Sequence, residues 1–424
     1  MPFDHLGLRA ELLKAVATLG YSEPTPIQDQ AIPVILAGED LLAGAQTGTG
    51  KTAAFSLPMV QLLAEQPEGA WGEKRRRPRA LVLVPTRELA AQVGQELQNF
   101  GRRLSLRSAV LYGGVTIDGQ IARLRNGVDM VVATPGRLLD HVERGTVNLS
   151  RVEFLVLDEA DRMLDLGFID DILQVAAHIP RKPQTLLFSA TYSDTVRRLA
   201  DQLLHQPRRV EVASRTLAAD QVAQTVYRVE QDRKRELLSH LISSQKWSQA
   251  LVFTRTRYGA DKLTEQLQRD GITAVAIHSS KSQSLRTRTL AQFKEGAVRV
   301  LVATDVAARG LDIALLPCVV NYDMPFAPED YVHRIGRTGR AGADGIALSL
   351  VAPEEQPMLT AIEQLLHTRI PVQRVPGFTL FALRPTPRPK DDARPKTPPK
   401  PKKAKGKKGV VHRPKKTGGR GRRG

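Results

Sequence analysis

The chain has 424 residues, 42% of them hydrophobic and 25% charged, which excludes a wholly disordered protein and leaves room for two domains plus extra chain. Its formal charge is +18, but Arg384–Gly424 holds 17 Lys and Arg against two acids, so +15 sits in 41 residues and only +3 on the other 383. One cysteine, Cys318, excludes an intrachain disulfide and a Cys-rich zinc site. No apolar run approaches the roughly 18 residues of a membrane helix. Met1–His5 has an early acid and no apolar core of a secretory leader. A reducing, cytoplasmic location without membrane contact is the expectation.

Short apolar runs recur along the chain, each followed by a turn and a helix-like segment. In the first half they are Leu41–Ala45, Ala80–Val84, Asp129–Ala133, Val152–Leu157 and Thr185–Phe188. In the second they are Thr225–Val229, Ala250–Phe253, Thr273–Ile277, Arg299–Ala303, Cys318–Asn321 and Gly345–Val351. The runs are continuous rather than alternating, as in parallel strands buried on both faces. Strand alternating with helix predicts an α/β class with two domains built on parallel sheets. Functional side chains then belong just past the C-terminal strand ends.

The break between halves falls near Pro207–Asp220. The reading is a first domain at 1–207, a linker at 208–220, a second domain at 221–383 and a tail at 384–424. The tail has 8 Pro, 6 Gly and no aromatic, too little apolar surface to offset ordering entropy, so it is expected to be disordered. Its Lys- and Arg/Gly-rich segments suit non-specific phosphate binding. The segment Gln66–Arg79, with the run Lys74-Arg-Arg-Arg77, reads as a solvated basic loop or as an auxiliary phosphate contact.

Ala45-Gln46-Thr47-Gly48-Thr49-Gly50-Lys51-Thr52 lies between a strand and a helix-like segment. A glycine-rich turn there aims backbone N–H groups at a phosphate, with Lys51 reaching the β/γ-phosphates and Thr52 placed for Mg²⁺. Ala45 stands where the strict pattern has glycine. Asp158-Glu159-Ala-Asp161 ends the strand Val152–Leu157. An acid at that position suits Mg²⁺, and its neighbour suits the attacking water.

With these motifs in this order, the sequence resembles a DEAD-box ATP-dependent RNA helicase of superfamily 2, and within it the bacterial RhlE-like subgroup. The resemblance covers roughly Pro2–Leu383 and implies two tandem RecA-like domains, ATP and Mg²⁺ as cofactors, RNA as partner and a monomer. Gly20–Gln28 matches the adenine motif, so Gln28 is implied to read the base edge and Phe3 to pack on the base. Ser189-Ala-Thr191 matches the coupling motif. Tyr331–Arg340 is implied to supply Arg337 and Arg340 as arginine fingers, with His333 bridging toward the acidic motif and Asp161. Ala303–Asp312 is implied to place Asp312 on the ribose and Thr304 on RNA. The RNA track is implied to run over Pro85-Thr86-Arg87, Gly113-Gly114 and Thr134-Pro135-Gly136-Arg137. It continues through Thr254-Arg255, Gln283 and Arg286. Ser279 departs from the family, which usually has glycine after His278.

The implied activity is ATP hydrolysis coupled to local, non-processive unwinding of RNA or remodelling of RNA–protein complexes. The alternatives are an ATP-gated RNA clamp or strand annealer, and a DNA-directed ATPase.

Overall fold

A strand buried on both faces needs an apolar residue at every position, because each buried Val or Leu contributes about 1.5–3 kcal/mol. That rule accounts for the architecture of the computed structural model, which describes residues 3–45, 49–65, 76–179, 182–212, 222–245, 247–308, 316–339, 345–376 and 378. Fourteen strands form two seven-stranded sheets. The first holds β1 (Leu41–Gly44), β2 (Ala80–Leu83), β3 (Ser108–Leu111), β4 (Met130–Ala133), β5 (Phe154–Leu157), β6 (Gln184–Ser189) and β7 (Arg208–Glu211). The second holds β8 (Val222–Arg228), β9 (Ala250–Phe253), β10 (Ala274–Ile277), β11 (Val300–Ala303), β12 (Cys318–Asn321), β13 (Gly345–Val351) and β14 (Val372–Gln373).

The orders are β3-β4-β2-β5-β6-β1-β7 and β10-β11-β9-β12-β13-β8-β14. Counted from each sheet's own first strand, the two orders are identical. All strand pairs are parallel, for example Leu41–Gly44 on Leu186–Ser189 and Ala250–Phe253 on Cys318–Asn321. The expected α/β class with tandem parallel-sheet domains is therefore the observed one. Successive residues serve opposite faces: Ala80 and Val82 pack in one core, Leu81 and Leu83 in another. The second sheet divides likewise, with Ala250 and Val252 on one side and Leu251 and Phe253 on the other. Cys318 is free and buried in the strand that carries it.

One boundary moves. Arg208–Glu211 is a strand paired with Leu41–Gly44, so these residues belong to the first sheet and not to a linker. Only Val210 of the four is buried, which is why the segment reads as polar connection. Residues 213–220 of the expected linker, the tail and residues 66–75 lie outside the described residues. Among the described residues no helix is long and apolar enough to cross a membrane.

Strand ends pass to helices through polar caps. Leu89 N–H donates to Thr86 Oγ1 at 3.3 Å and starts the helix Arg87–Gly101. Leu285 N–H donates to Ser282 Oγ at the same distance and starts Gln283–Lys294. Pro135 opens Pro135–Glu143 at its first turn, where a missing N–H costs nothing. These caps place the first helical residues, among them Arg87, Arg137 and Gln283, on the edge formed by the C-terminal strand ends.

Candidate ATP and RNA site

In the first sheet β5, β6 and β1 are neighbours, so the loops after them meet. Lys51 opens the helix Lys51–Glu65 after β1, and Asp158 follows β5. Lys51 Nζ stands 4.0 Å from Asp158 Oδ1, and both side chains are buried. Among the described residues neither atom has a hydrogen-bond partner. A buried ammonium and carboxylate left this way are costly, and a phosphate group with its cation would satisfy both. Burial pushes the Asp158 carboxyl up to about 6, partly offset by Lys51 and reinforced by Glu159. Thr52 is half-buried beside Lys51. Among the described residues no group of three or more His, Cys, Asp or Glu is placed to hold a metal alone. A cation here would draw on Asp158, Thr52 and phosphate oxygens.

Glu159 is buried and holds φ 55° and ψ 52°, the left-handed region that a side chain rarely adopts. Strain of that kind, of order 1–3 kcal/mol, clusters at functional sites. Asp161 joins the loops after β5 and β6. Its Oδ2 accepts from Ala190 N–H and Thr191 N–H, each at 3.0 Å, and from Thr191 Oγ1 at 3.2 Å. Ser189 Oγ donates to Thr191 O at 2.7 Å. The four expected coupling residues thus include three in direct contact.

Gln28 is buried, accepts from Thr25 N–H at 2.9 Å and donates to Gly50 O at 3.1 Å. It therefore reaches the last glycine of the phosphate loop, where φ is +89° and a Cβ would run into the Gln28 amide. Ala45 N–H donates to Ser189 O at 3.0 Å, continuing the β1–β6 ladder into the loop. Thr49 and Gly50 are half-buried. Phe3 is 2% exposed and belongs to the first core with Leu6 and Leu8. Gln46, Thr47, Gly48, Asp312 and Arg340 lie outside the described residues.

The second half comes to the same place. Burial pushes the His333 imidazole below its ordinary value, with Asp161 opposing and Arg337, Arg162 and Lys51 reinforcing. Residues of both sheets therefore share one electrostatic neighbourhood. Arg337 is buried at the end of the helix Pro328–Ile335. Arg334, three residues before Arg337, is buried and faces inward. It makes two bonds to Asp305, at 2.6 and 2.7 Å, and one each to Asn321 and Asp323 O. Sequence spacing gave no sign of that role.

On the other flank, β2, β3 and β4 present Pro85-Thr86-Arg87, Gly113-Gly114 and Thr134-Pro135-Gly136-Arg137 at their C-terminal ends. The Arg87 guanidinium lies on Gly114, at φ +79°, where any Cβ would collide with it. Arg137 is fixed by Gln120 Oε1 at 3.3 Å and Val115 O at 3.2 Å. Thr304 is buried after β11. Arg255 donates to Glu355 at 3.1 Å and Met324 O at 3.1 Å and stacks on Phe326, so its guanidinium is already engaged. Glu355 also takes the buried Lys234 ammonium at 2.5 Å. Ser279 has no positive φ, so the residue that replaces the usual glycine sits unstrained.

Arg286 is also placed differently from expectation. It is buried against Glu88 at 3.0 Å, and Gln283 donates to the other oxygen of Glu88 at 3.0 Å. These bonds cross between the two sheets' domains. A buried carboxylate facing an Arg and an amide outcompetes solvent, so Arg286 ties the halves together rather than lying open to RNA. Glu88 was not singled out in the sequence.

Residues 25–199 match the DEAD/DEAH box helicase family, and 233–342 match the helicase conserved C-terminal domain. A DEAD-box ATP-dependent RNA helicase CshA of Geobacillus kaustophilus is 45% identical over 85% of this chain and 76% of its own length. That of Bacillus subtilis is 44% identical, over 85% and 72%. The structure of Saccharomyces cerevisiae Dbp5 bound to RNA and ADP BeF3 superposes with a TM-score of 0.77 at 33% identity, covering 87% of this chain and 95% of that one.

Proposed function

Because this chain belongs to the DEAD-box helicase family, we propose that it is an ATP-dependent RNA helicase whose hydrolytic centre is assembled from both domains. The observation that carries the reading is the buried Lys51–Asp158 pair with two unpartnered atoms, set beside Asp161 and the His333–Arg337 segment of the second domain. Lys51 and the turn before it bind the phosphates. Asp158 and Thr52 hold Mg²⁺, which when bound neutralises phosphate charge. Glu159 orients the attacking water, and Arg337 stabilises charge developing on the γ-phosphate. Arg340 and Asp312 are assigned the second finger and the ribose contact. Asp161, Ser189, Thr191 and His333 transmit the state of the site to the RNA edge.

RNA binds along the C-terminal ends of β2, β3 and β4 and passes Thr304. Backbone-directed contacts from Arg87, Arg137 and the glycine pair select RNA without reading sequence. The bound state reported for Dbp5, with RNA and an ATP mimic together, supports a closed form in which both ligands are held at once. The named relatives are CshA proteins, so they support the family and give no weight to an RhlE-like placement. Steady-state ATPase with RNA, with DNA of the same sequence and without nucleic acid tests the reading, alongside displacement of a short RNA strand. Stimulation by RNA alone with ATP-dependent displacement is expected; equal stimulation by DNA would reject it.

The Asp158 carboxyl gives a pH prediction. Its folded pKa, about 6, lies above the ordinary 3.8, so the folded state holds a proton that the unfolded chain has released. The associated stability is present below pH 3.8 and is lost as pH rises through 6, amounting to about 3 kcal/mol. Nucleotide-free Asp158→Asn should lack this loss. Urea unfolding of both proteins from pH 4 to pH 8 should show the variant gaining on the parent by up to that amount while its ATPase disappears. A pH-independent difference would remove the assignment.

The Glu88–Arg286 contact gives another. Glu88→Ala leaves the Arg286 guanidinium buried and unpaired, a loss of about 3–5 kcal/mol for such a pair. Closure of the domains should weaken while each stays folded. Fluorescence transfer between dyes on the two domains, with RNA and a non-hydrolysable ATP analogue, should fall toward the ligand-free value; an unchanged closed signal would show the contact to be incidental.

A further inference from the structure

Apart from Phe3 and Gln28, which precede the first strand, the assigned ATP and RNA residues follow C-terminal strand ends. The opposite edge of the first sheet carries a different feature. Arg76 and Arg77 precede β2, Arg107 precedes β3, and the helices Arg87–Gly101 and Asp118–Arg125 return the chain to that edge. Their ends bring Arg102, Arg123 and Arg125 there. These six arginines line two adjoining cavities of about 1210 and 440 Å³ that share Arg76 and Val128. Among the described lining residues there is no carboxylate.

The nearest acid is already used. Asp129 is buried and accepts from Arg76 Nη1 and from Arg107 N–H, each at 2.8 Å. Arg76 also donates to Ser105 O at 2.9 Å, and Arg107 to Asn126 O at 3.2 Å. Arg77 donates to Ser150 Oγ at 3.2 Å. These bonds fix Arg76, Arg77 and Arg107 at the wall that the exposed Arg102 and Arg123 complete. Gly127, at φ +75°, lets Arg76 approach closely, because a Cβ there would meet the Arg76 Cβ at 2.9 Å and its backbone nitrogen at 3.3 Å. Arg102, Arg107, Arg123 and Arg125 are exposed.

We infer that this edge is a second RNA-binding surface, taking the sugar–phosphate backbone of a strand that flanks the unwound segment. This rests on the RNA reading above. The larger cavity is too roomy for a single phosphate and is lined by amides, Gln95, Gln98 and Asn99, that suit ribose and phosphate oxygens. A protein partner would want apolar anchors. None of the large exposed hydrophobics, such as Phe326, Tyr258 or Leu285, lies among the lining residues. Four-residue strands separate this edge from the ATP-gated one by about 13 Å of sheet. A strand longer than the gated site can therefore wrap from one edge to the other.

The test uses the full chain carrying Arg102→Gln, Arg107→Gln and Arg123→Gln. A control removes three exposed arginines elsewhere, Arg198→Gln, Arg208→Gln and Arg269→Gln. Fluorescence anisotropy is read with a 10-nucleotide RNA in the presence of a non-hydrolysable ATP analogue, and with a 40-nucleotide RNA, across a salt series. For the long RNA the first variant should lose about tenfold in affinity at moderate salt and about 2 from the salt slope, as expected for three lost phosphate contacts on a single strand. It should bind the short RNA like the parent, and the control should bind both RNAs like the parent. Equal effects of the two variants on the long RNA would overturn the surface and leave only net charge. An unchanged long-RNA slope that nonetheless responds to inorganic triphosphate would make it a small-anion site and also overturn it. Failure of the parent to bind the short RNA in an ATP-dependent way would instead reject the RNA reading itself.

Discussion

Arg337→Ala is expected to leave ATP affinity within about threefold while lowering the RNA-stimulated kcat by about 10³–10⁵, the range for an arginine that meets only the transition state. In the proposed site the ground-state contacts to the phosphates and base come from the first domain, through Lys51, the loop ending at Gly50 and Gln28, with only the ribose assigned to Asp312 of the second. Arg337 comes from the second, where it is buried and shares its electrostatic surroundings with His333, Asp161 and Lys51. A group placed so acts when charge develops on the transferring phosphoryl and contributes little before. Removing it should therefore reduce kcat and kcat/KM equally. Arg337→Lys should recover little, because an ammonium lacks the planar fork that meets two phosphoryl oxygens. A merely structural role would instead show as reduced thermal stability with proportionate losses of binding and turnover. Nucleotide titration, single-turnover hydrolysis and a melting curve on the same samples separate these outcomes; near-normal turnover would refute the assignment.

The eleven apolar runs visible in the sequence all became strands, and ten of them are central in a doubly covered parallel sheet, where apolar residues are needed along the whole strand. The three strands that sequence reading missed are edge strands. Ser108–Leu111 alternates half-buried with buried positions, Arg208–Glu211 buries one residue of four, and Val372–Gln373 is exposed. An edge has one neighbour and one partly wet side, so it does not require a continuous run; Ala274–Ile277, the remaining edge strand, carries one nonetheless. The site divides in the same way. Lys51, Asp158 and Asp161 are legible because each motif follows its own strand and acts through neighbours close in the chain. Glu88 and Arg334 are not. Gln283 meets Glu88 across 195 residues, and Arg334 meets Asp305 across 29, and nothing local records either pairing.

Glu159→Gln should slow hydrolysis by about 10²–10⁴, the usual worth of a positioned general base, while preserving the state in which ATP and RNA are bound together. The substitution keeps side-chain size and the left-handed backbone of residue 159, so the turn at φ 55° and the start of the helix Ala160–Asp165 survive. It removes one buried negative charge next to Asp158, whose carboxyl Glu159 helps to push up. Asp158 should then ionise more readily, and Mg²⁺-nucleotide binding should hold or tighten as turnover falls. Asp161 keeps its bonds to Ala190 and Thr191, so the link from the acidic turn to the RNA edge is untouched. With hydrolysis blocked and that link intact, the domains should close on both ligands and stay closed. RNA release in excess ATP, followed by anisotropy after adding unlabelled RNA, should lengthen from the parent's turnover time to that of the slowed hydrolysis. Rapid release with hydrolysis still blocked would place the coupling elsewhere than Asp161, and parental turnover would show that Glu159 does not orient the water.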